Sequence, residues 1–279
     1  LITRLFNFFL FSSLFIALCA VLMVHQSNHL LNLEYNSQSL LLFVFFSTLC
    51  SYNLLWWLTP FSSSEKIRSQ WTQQHRITHI ILICIGAAGS FWFFLPYINH
   101  WIWIAPAAVL TFLYSAPKLP YPIFRHLKKI AIGKTIFLSF VWMYVTTALP
   151  IFISGQRWQE KELLFCCSRF FLIYAICILF DYRDREQDKQ EGIRSMITYF
   201  SPNGVNYLFL TSLVLFAISN ILLNYFGISM LVIVVLLVPG LLTGLIYRTA
   251  KKNHSDYLYY FILDGLMMFS SLITVFMSI

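Results

Sequence analysis

Charge is scarce in this chain of 279 residues: 11% are Asp, Glu, Lys or Arg, against 59% hydrophobic. So small a polar fraction excludes a water-soluble domain, because it could not cover the apolar mass, and it makes lipid the solvent for most of the chain. Period-two alternation over strand-length segments is lacking as well. That excludes a transmembrane barrel and leaves helices to satisfy the backbone in lipid. The six cysteines, Cys19, Cys50, Cys84, Cys166, Cys167 and Cys177, fall in or beside apolar stretches with no CxxC spacing, so neither a disulfide framework nor a zinc site is indicated. Seven histidines, His25, His29, His75, His79, His100, His126 and His254, are scattered without ligand spacing.

What the chain has in quantity is apolar length. Nine stretches, at 5–24, 39–60, 77–95, 99–116, 130–153, 163–181, 205–224, 228–247 and 257–278, each approach the ~20 residues that cross a hydrocarbon core as a helix. The first has Arg4 before it and Ala17, Cys19 and Ala20 near its end, as a secretory leader does. With eight further stretches behind it, it reads as the first transmembrane helix. The predicted fold is all-α, a polytopic membrane bundle of nine transmembrane helices forming a single domain over residues 1–279.

The basic residues gather in every second gap. Arg4, Lys66, Arg68, Arg76, Lys118, Arg125, Lys128, Lys129, Arg183, Arg185, Lys189, Arg194, Arg248, Lys251 and Lys252 lie on one side of a nine-helix path; the other side has only Arg157 and Lys161. The positive-inside rule then puts the amino terminus in the cytoplasm and the carboxyl terminus on the opposite side. The net charge of +8 reads as topology and attraction to membrane lipids, not to nucleic acid. Four hairpins opening charged loops to one side make a mouth over a helical bundle. Such a mouth suits a lipid-tailed substrate with a charged head.

Packing marks are few. Gly240 and Gly244 form a GxxxG pattern that lets a neighbouring helix approach, and Pro239 before them bends the span. Trp56, Trp57, Trp71, Trp92, Trp101 and Trp103 sit near predicted span ends, where interfacial anchoring is expected, and the first two are also placed to line a mouth.

The strongest chemical signal is Asp181-Tyr-Arg-Asp184-Arg-Glu-Gln-Asp188, at the end of an apolar span. If the helix continues past the span, spacings of three and four put all three carboxylates on one face, where they repel unless a cation intervenes. Oxygen-rich sites of this kind suit Mg²⁺, which also bridges to substrate phosphates. A solvated, salt-bridged loop is the alternative. Tyr114 and Lys118, at i and i+4, aim the same way if Pro117 leaves the turn helical, and together offer a phenol and a point charge to a diphosphate; a lysine snorkelling to the membrane surface is the alternative. Asp264 lies about two turns inside the last span, where an ionised carboxylate must be paired, hydrated or protonated. Asn53, Asn206, Asn220 and Lys134 are its expected partners or cavity lining.

These residues resemble the UbiA superfamily of intramembrane prenyltransferases. Asp181-x-x-Asp184-x-x-x-Asp188, followed by Lys189, Gly192 and Arg194, resembles its second aspartate-rich motif, and Tyr114-x-x-x-Lys118 its Tyr/Lys motif. The resemblance implies an all-helical bundle whose cavity opens to lipid, in the inner membrane for bacterial members. It implies Mg²⁺ held by two aspartate-rich motifs that bind a polyprenyl diphosphate, whose ionisation leaves an allylic carbocation for a lipophilic acceptor to capture. Asp181, Asp184 and Asp188 would then be the metal ligands and catalytic groups, and Tyr114, Lys118 and Arg194 would hold diphosphate. Asn53, Trp56, Trp57 and Asp264 would line the cavity. One departure stands out. The first motif, Asn-Asp-x-x-Asp-x-x-x-Asp, maps onto Asn53 to Phe61, where Leu54, Trp57 and Phe61 replace every acid; Glu65 lies further out. Two readings follow: a divergent transferase working with half the carboxylates, or a non-catalytic relative that binds or moves an isoprenoid lipid or partners a membrane enzyme. Secondary transport ranks below both, because no paired interrupted half-spans occur.

Overall fold

A computed structural model describes residues 1–59, 67–115, 134–190 and 196–277. It is an all-α, polytopic bundle, and among the described residues eight helices are long and apolar enough to cross a membrane. The first is α2 (Leu14–Leu31), not the expected 5–24. A separate short helix, α1 (Ile2–Phe11), precedes it, and the two are broken at Ser12 and Ser13, the latter at φ 65. A break leaves backbone groups unpaired, and a side chain from α3 (Ser37–Leu58) fills one of them: Asn53 Nδ2 donates to the Ser12 carbonyl at 2.9 Å.

A short helix α4 (Ile67–Gln74) leads into α5 (Arg76–Phe94), which lies along α3. Two glycines permit that closeness. A Cβ on Gly86 would stand 2.8 Å from the backbone nitrogen of Cys50, and one on Gly89 would stand 2.4 Å from the Phe46 ring. After a 3₁₀ turn at Leu95–His100 comes α6 (Trp101–Ser115). Tyr97, in that turn, donates to the carbonyl of Asn36 at the start of α3, whereas Tyr114 shares a pocket with Tyr52 and Leu55 near the end of α3.

The next span is one helix interrupted in register: α7 (Lys134–Met143), a π-helical turn at Tyr144–Ala148, then α8 (Leu149–Ser154). Pro150 cannot donate to the carbonyl four residues back, and Ser27 Oγ of α2 donates to that Thr146 carbonyl at 2.7 Å. Helix α9 (Glu160–Gln190) runs unbroken through the core and beyond it. The short α10 (Met196–Tyr199) precedes α11 (Pro202–Leu222) and α12 (Met230–Lys252), which pack on α9 and on each other. Gly240 is where α11 and α12 meet: its Cβ would fall 2.2 Å from the Phe216 ring, the close approach its GxxxG setting predicts. A second π-helical turn, Leu258–Leu263, leads into α13 (Asp264–Met277).

Helices α2 and α9 carry much of the core, with Met23, Leu172, Ile173, Ile176 and Ile178 almost fully buried. Between them and α13 runs a polar seam. Arg169 Nη2 donates to Gln26 Oε1 at 2.9 Å, Ser271 Oγ donates to the same oxygen at 3.0 Å, and Gln26 Nε2 donates to Thr274 Oγ1 at 2.9 Å. In lipid, interhelical bonds of this kind contribute about 0.6–2 kcal/mol each.

Candidate functional site

Helix α9 carries Asp181, Asp184 and Asp188 beyond the apolar part of its span, as the spacing predicts for a continuing helix. Their partners are mostly internal. Asp181, 6% exposed, accepts a hydrogen bond from Thr135 Oγ1 and lies 3.7 Å from Lys134 Nζ, both on α7. Asp184 accepts from Arg183 Nε at 3.0 Å, and Asp188 is buried. Between these carboxylates α9 turns Arg183 inward. Its Nη2 donates to the Tyr260 hydroxyl at 3.0 Å, and its Nη1 stands 3.8 Å from Asp256.

Among the described residues, no three Asp, Glu, His or Cys side chains come together as a metal ion requires. The carboxylates as they are arranged, paired within the protein, do not make the ready-formed Mg²⁺ site that the family resemblance implies. Asp181 is held by a hydroxyl and an ammonium, and Asp184 by a guanidinium.

Below this charged end lies a half-open pocket with about 560 Å³ of empty space, mouth included, between α2, α3, α6 and α7. Leu55, Leu138, Val141 and Val145 give it apolar walls; Thr48, Ser51, Thr111, Tyr52 and Tyr114 add hydroxyls, and among the described residues no Asp, Glu, Lys, Arg or His lines it. Trp142 Nε1 donates to Tyr52 Oη at 3.0 Å. The two tyrosines connect this pocket to the charges. Tyr114 is within electrostatic reach of Lys134 and Asp181, and Tyr52 within reach of Asp264.

The remaining predicted residues scatter more widely. Trp56 packs edge-on against Tyr260 and stacks on a guanidinium, that of Arg68. Trp57 points elsewhere, with Arg76 5.9 Å over its ring. Asn53 is fully buried away from the pocket: Nδ2 donates to Ser12 and Leu49 carbonyls, so Oδ1 is left to accept from Nδ1–H of His79 at 2.7 Å. Asp264 is half-buried at the start of α13, just after the π turn. Its expected partners go elsewhere. Lys134 pairs with Asp181, Asn206 accepts from Tyr247 and Lys251, and Asn220 accepts from Ser168. Lys118, Arg194, Phe61 and Glu65 lie outside the described residues.

Arg68 is the residue sequence reasoning passed over, having counted it only as one loop charge among fifteen. It is 4% exposed, its guanidinium 4.0 Å from the Trp56 ring centroid and 4.2 Å from that of Tyr260. Burial pulls its pKa down, opposed by nearby Tyr260, Asp264 and Asp256. Asp256 anchors α4 by accepting from the Arg68 backbone N–H at 2.8 Å. The only signal in the sequence was proximity to the end of α3, where the acidic residues are missing.

The site thus sets a largely apolar pocket of an all-helical membrane bundle next to buried charges on α7 and α9, with Tyr114 between them. The UbiA prenyltransferase family model matches residues 71–273, and the chain belongs to that family. Comparison with curated protein sequences gives no match. The fold is similar to the apo structure of a UbiA homolog from Aeropyrum pernix K1, with a TM-score of 0.64 at 14% identity, covering 93% of this chain and 98% of that one.

Proposed function

We propose that this protein transfers a prenyl group from a polyprenyl diphosphate to a lipophilic acceptor, with the diphosphate at the charged end and the isoprenoid in the apolar pocket. The observation that carries this reading is the junction at Tyr114, which lines the pocket and is within electrostatic reach of Lys134 and of Asp181 and Asp184 in the second motif. In the reaction the allylic C–O bond breaks and its electron pair leaves with diphosphate. The acceptor's nucleophilic atom then forms the new carbon bond and loses a proton. Fixed cations near the leaving oxygens favour that first step, and Lys134 is so placed, with Lys118 and Arg194 as further expected contributors. The apolar walls keep water from the cation, and the aromatic faces of Tyr52, Tyr114 and Trp142 can shelter it.

The topology belongs to the same proposal. The stretch from Arg76 to Tyr114 turns back at Tyr97, so it makes two crossings and the chain nine. The basic loops and amino terminus face the cytoplasm, and a bacterial inner membrane is the expected setting. A site for Mg²⁺ on Asp181, Asp184 and Asp188 would require Asp184 to leave Arg183 and Asp181 to leave Lys134.

Purified protein incubated with labelled polyprenyl diphosphates of several chain lengths and aromatic acceptors should release diphosphate and yield prenylated product. Absence of both across the set would overturn the reading. A second reading, a non-catalytic isoprenoid-binding relative, draws support from the paired state of Asp184. Under it, the labelled polyprenyl diphosphate binds but no diphosphate is released; under transfer, release and prenylated product appear together.

A further inference from the structure

The edge of Arg68 is the feature that the proposed reaction leaves unused. Trp56 and Tyr260 pack on its guanidinium at 4.0 and 4.2 Å. Ring faces favour the charge but offer its N–H groups no oxygen acceptor, and among the described residues Nε and Nη2 are buried without a hydrogen-bond partner. Buried donors on an ionised group are costly when unmet, so an acceptor supplied from outside the chain would relieve a standing penalty.

A second guanidinium stands close by. Arg183 spends Nε on Asp184 and Nη2 on the Tyr260 hydroxyl, and leaves Nη1 buried without a hydrogen bond. Both arginines pack on Tyr260, Arg183 at 5.0 Å from its ring centroid, so open donors flank one residue. Asp256 does not close the set. One of its oxygens takes the Arg68 backbone N–H, and the other makes an ion pair with Arg183 Nη1 at 3.8 Å without a hydrogen bond, which leaves Arg68 Nε and Nη2 unmet.

We propose that Arg68 and Arg183 form a site for a phosphate-type oxyanion, the diphosphate end of the substrate or a phosphate lipid headgroup, that works without a divalent ion. A planar, permanently charged fork presents parallel N–H groups to two oxygens at once, and two ring faces hold that fork in position. The location is telling. Arg68 packs against Trp56, next to the positions where Leu54 and Trp57 stand in place of acids. Carboxylates meet phosphate through a cation; a fixed guanidinium meets it directly. Asp264 and Asp256 are the carboxylates within electrostatic reach of Arg68, and Asp184 and Asp256 pair with Arg183. Because Nε and Nη2 are shut off from solvent, entry of an anion requires neighbouring side chains to move. The diphosphate assignment rests on the transfer reading; the phosphate chemistry rests on the guanidiniums.

The test is calorimetric titration of the full chain in nanodiscs with inorganic pyrophosphate and with geranyl diphosphate, in EDTA and again with MgCl₂. Both probes should bind in EDTA, with Kd moving less than ~threefold when Mg²⁺ is added, and Arg68→Gln should weaken binding by at least ~tenfold. Loss of the pyrophosphate signal in nanodiscs containing phosphatidic acid, but not in phosphatidylcholine alone, assigns the site to a lipid headgroup; retention in both assigns it to the diphosphate. No binding of either probe in EDTA overturns the proposal, as does unchanged affinity in a folded Arg68→Gln protein. Should that variant fail to fold, Trp56→Leu keeps the charge and removes one ring face; it should weaken binding severalfold, and unchanged affinity would count equally against the site. Metal-free binding without product formation would sink the transferase reading alone, and Mg²⁺-dependent transfer without binding in EDTA would sink this inference alone.

Discussion

Asn53 shows how one side chain can keep an identity expected from a family and serve a different purpose. It stands where the resemblance places the opening residue of a metal motif, yet its amide donates to the Ser12 and Leu49 carbonyls and accepts from His79. Asn53→Leu would leave a buried carbonyl and a buried imidazole N–H unmet, at about 1–3 kcal/mol. A lowered apparent melting midpoint in detergent is the expected outcome, with wild-type stability the result against it. The carboxylates of α9 were legible because charge next to an apolar span is conspicuous and a spacing of three and four fixes their face. Their partners were not, because Thr135 and Lys134 reach Asp181 from a helix 46 residues away in sequence. Arg68 was hidden for the opposite reason. In a loop rich in basic residues, nothing in the sequence marks the one that two aromatic rings enclose.

At the scale of elements, glycine sets how closely helices approach. The Cβ of Gly86→Val would press on Cys50 backbone at 2.8 Å, an atom that cannot move without shifting α3. Overpacking of this kind costs about 1–3 kcal/mol, so the variant should melt earlier than Gly244→Ala, whose added Cβ meets only the Leu213 side chain at an ordinary 3.4 Å. Equal melting points would contradict this account of the α3–α5 contact. Apolar periodicity located the spans, but not the break at Ser12–Ser13 or the π turns. The break and the first π turn are met by donors from other helices, Asn53 at the one and Ser27 before Pro150 at the other. The π turn at Leu258–Leu263 ends where Asp264 begins, and such turns recur at functional sites because an added residue re-aims the side chains that follow.

For the whole molecule, the distribution of charge makes the sharpest prediction. In intact cells, a membrane-impermeant maleimide should label single cysteines placed at Glu34 or Gln156 in a background lacking the native six. A cysteine at His254 should label only after permeabilisation; the reverse pattern would overturn the proposed orientation. Composition by itself determined that lipid is the solvent, and apolar length determined that helices cross it, since both follow from free energies summed over ~20 residues at a time. Only tertiary structure decided which charges face one another. A buried ion pair or an enclosed guanidinium depends on a few ångströms between residues distant in sequence. Packing sets such distances, and no local pattern records them.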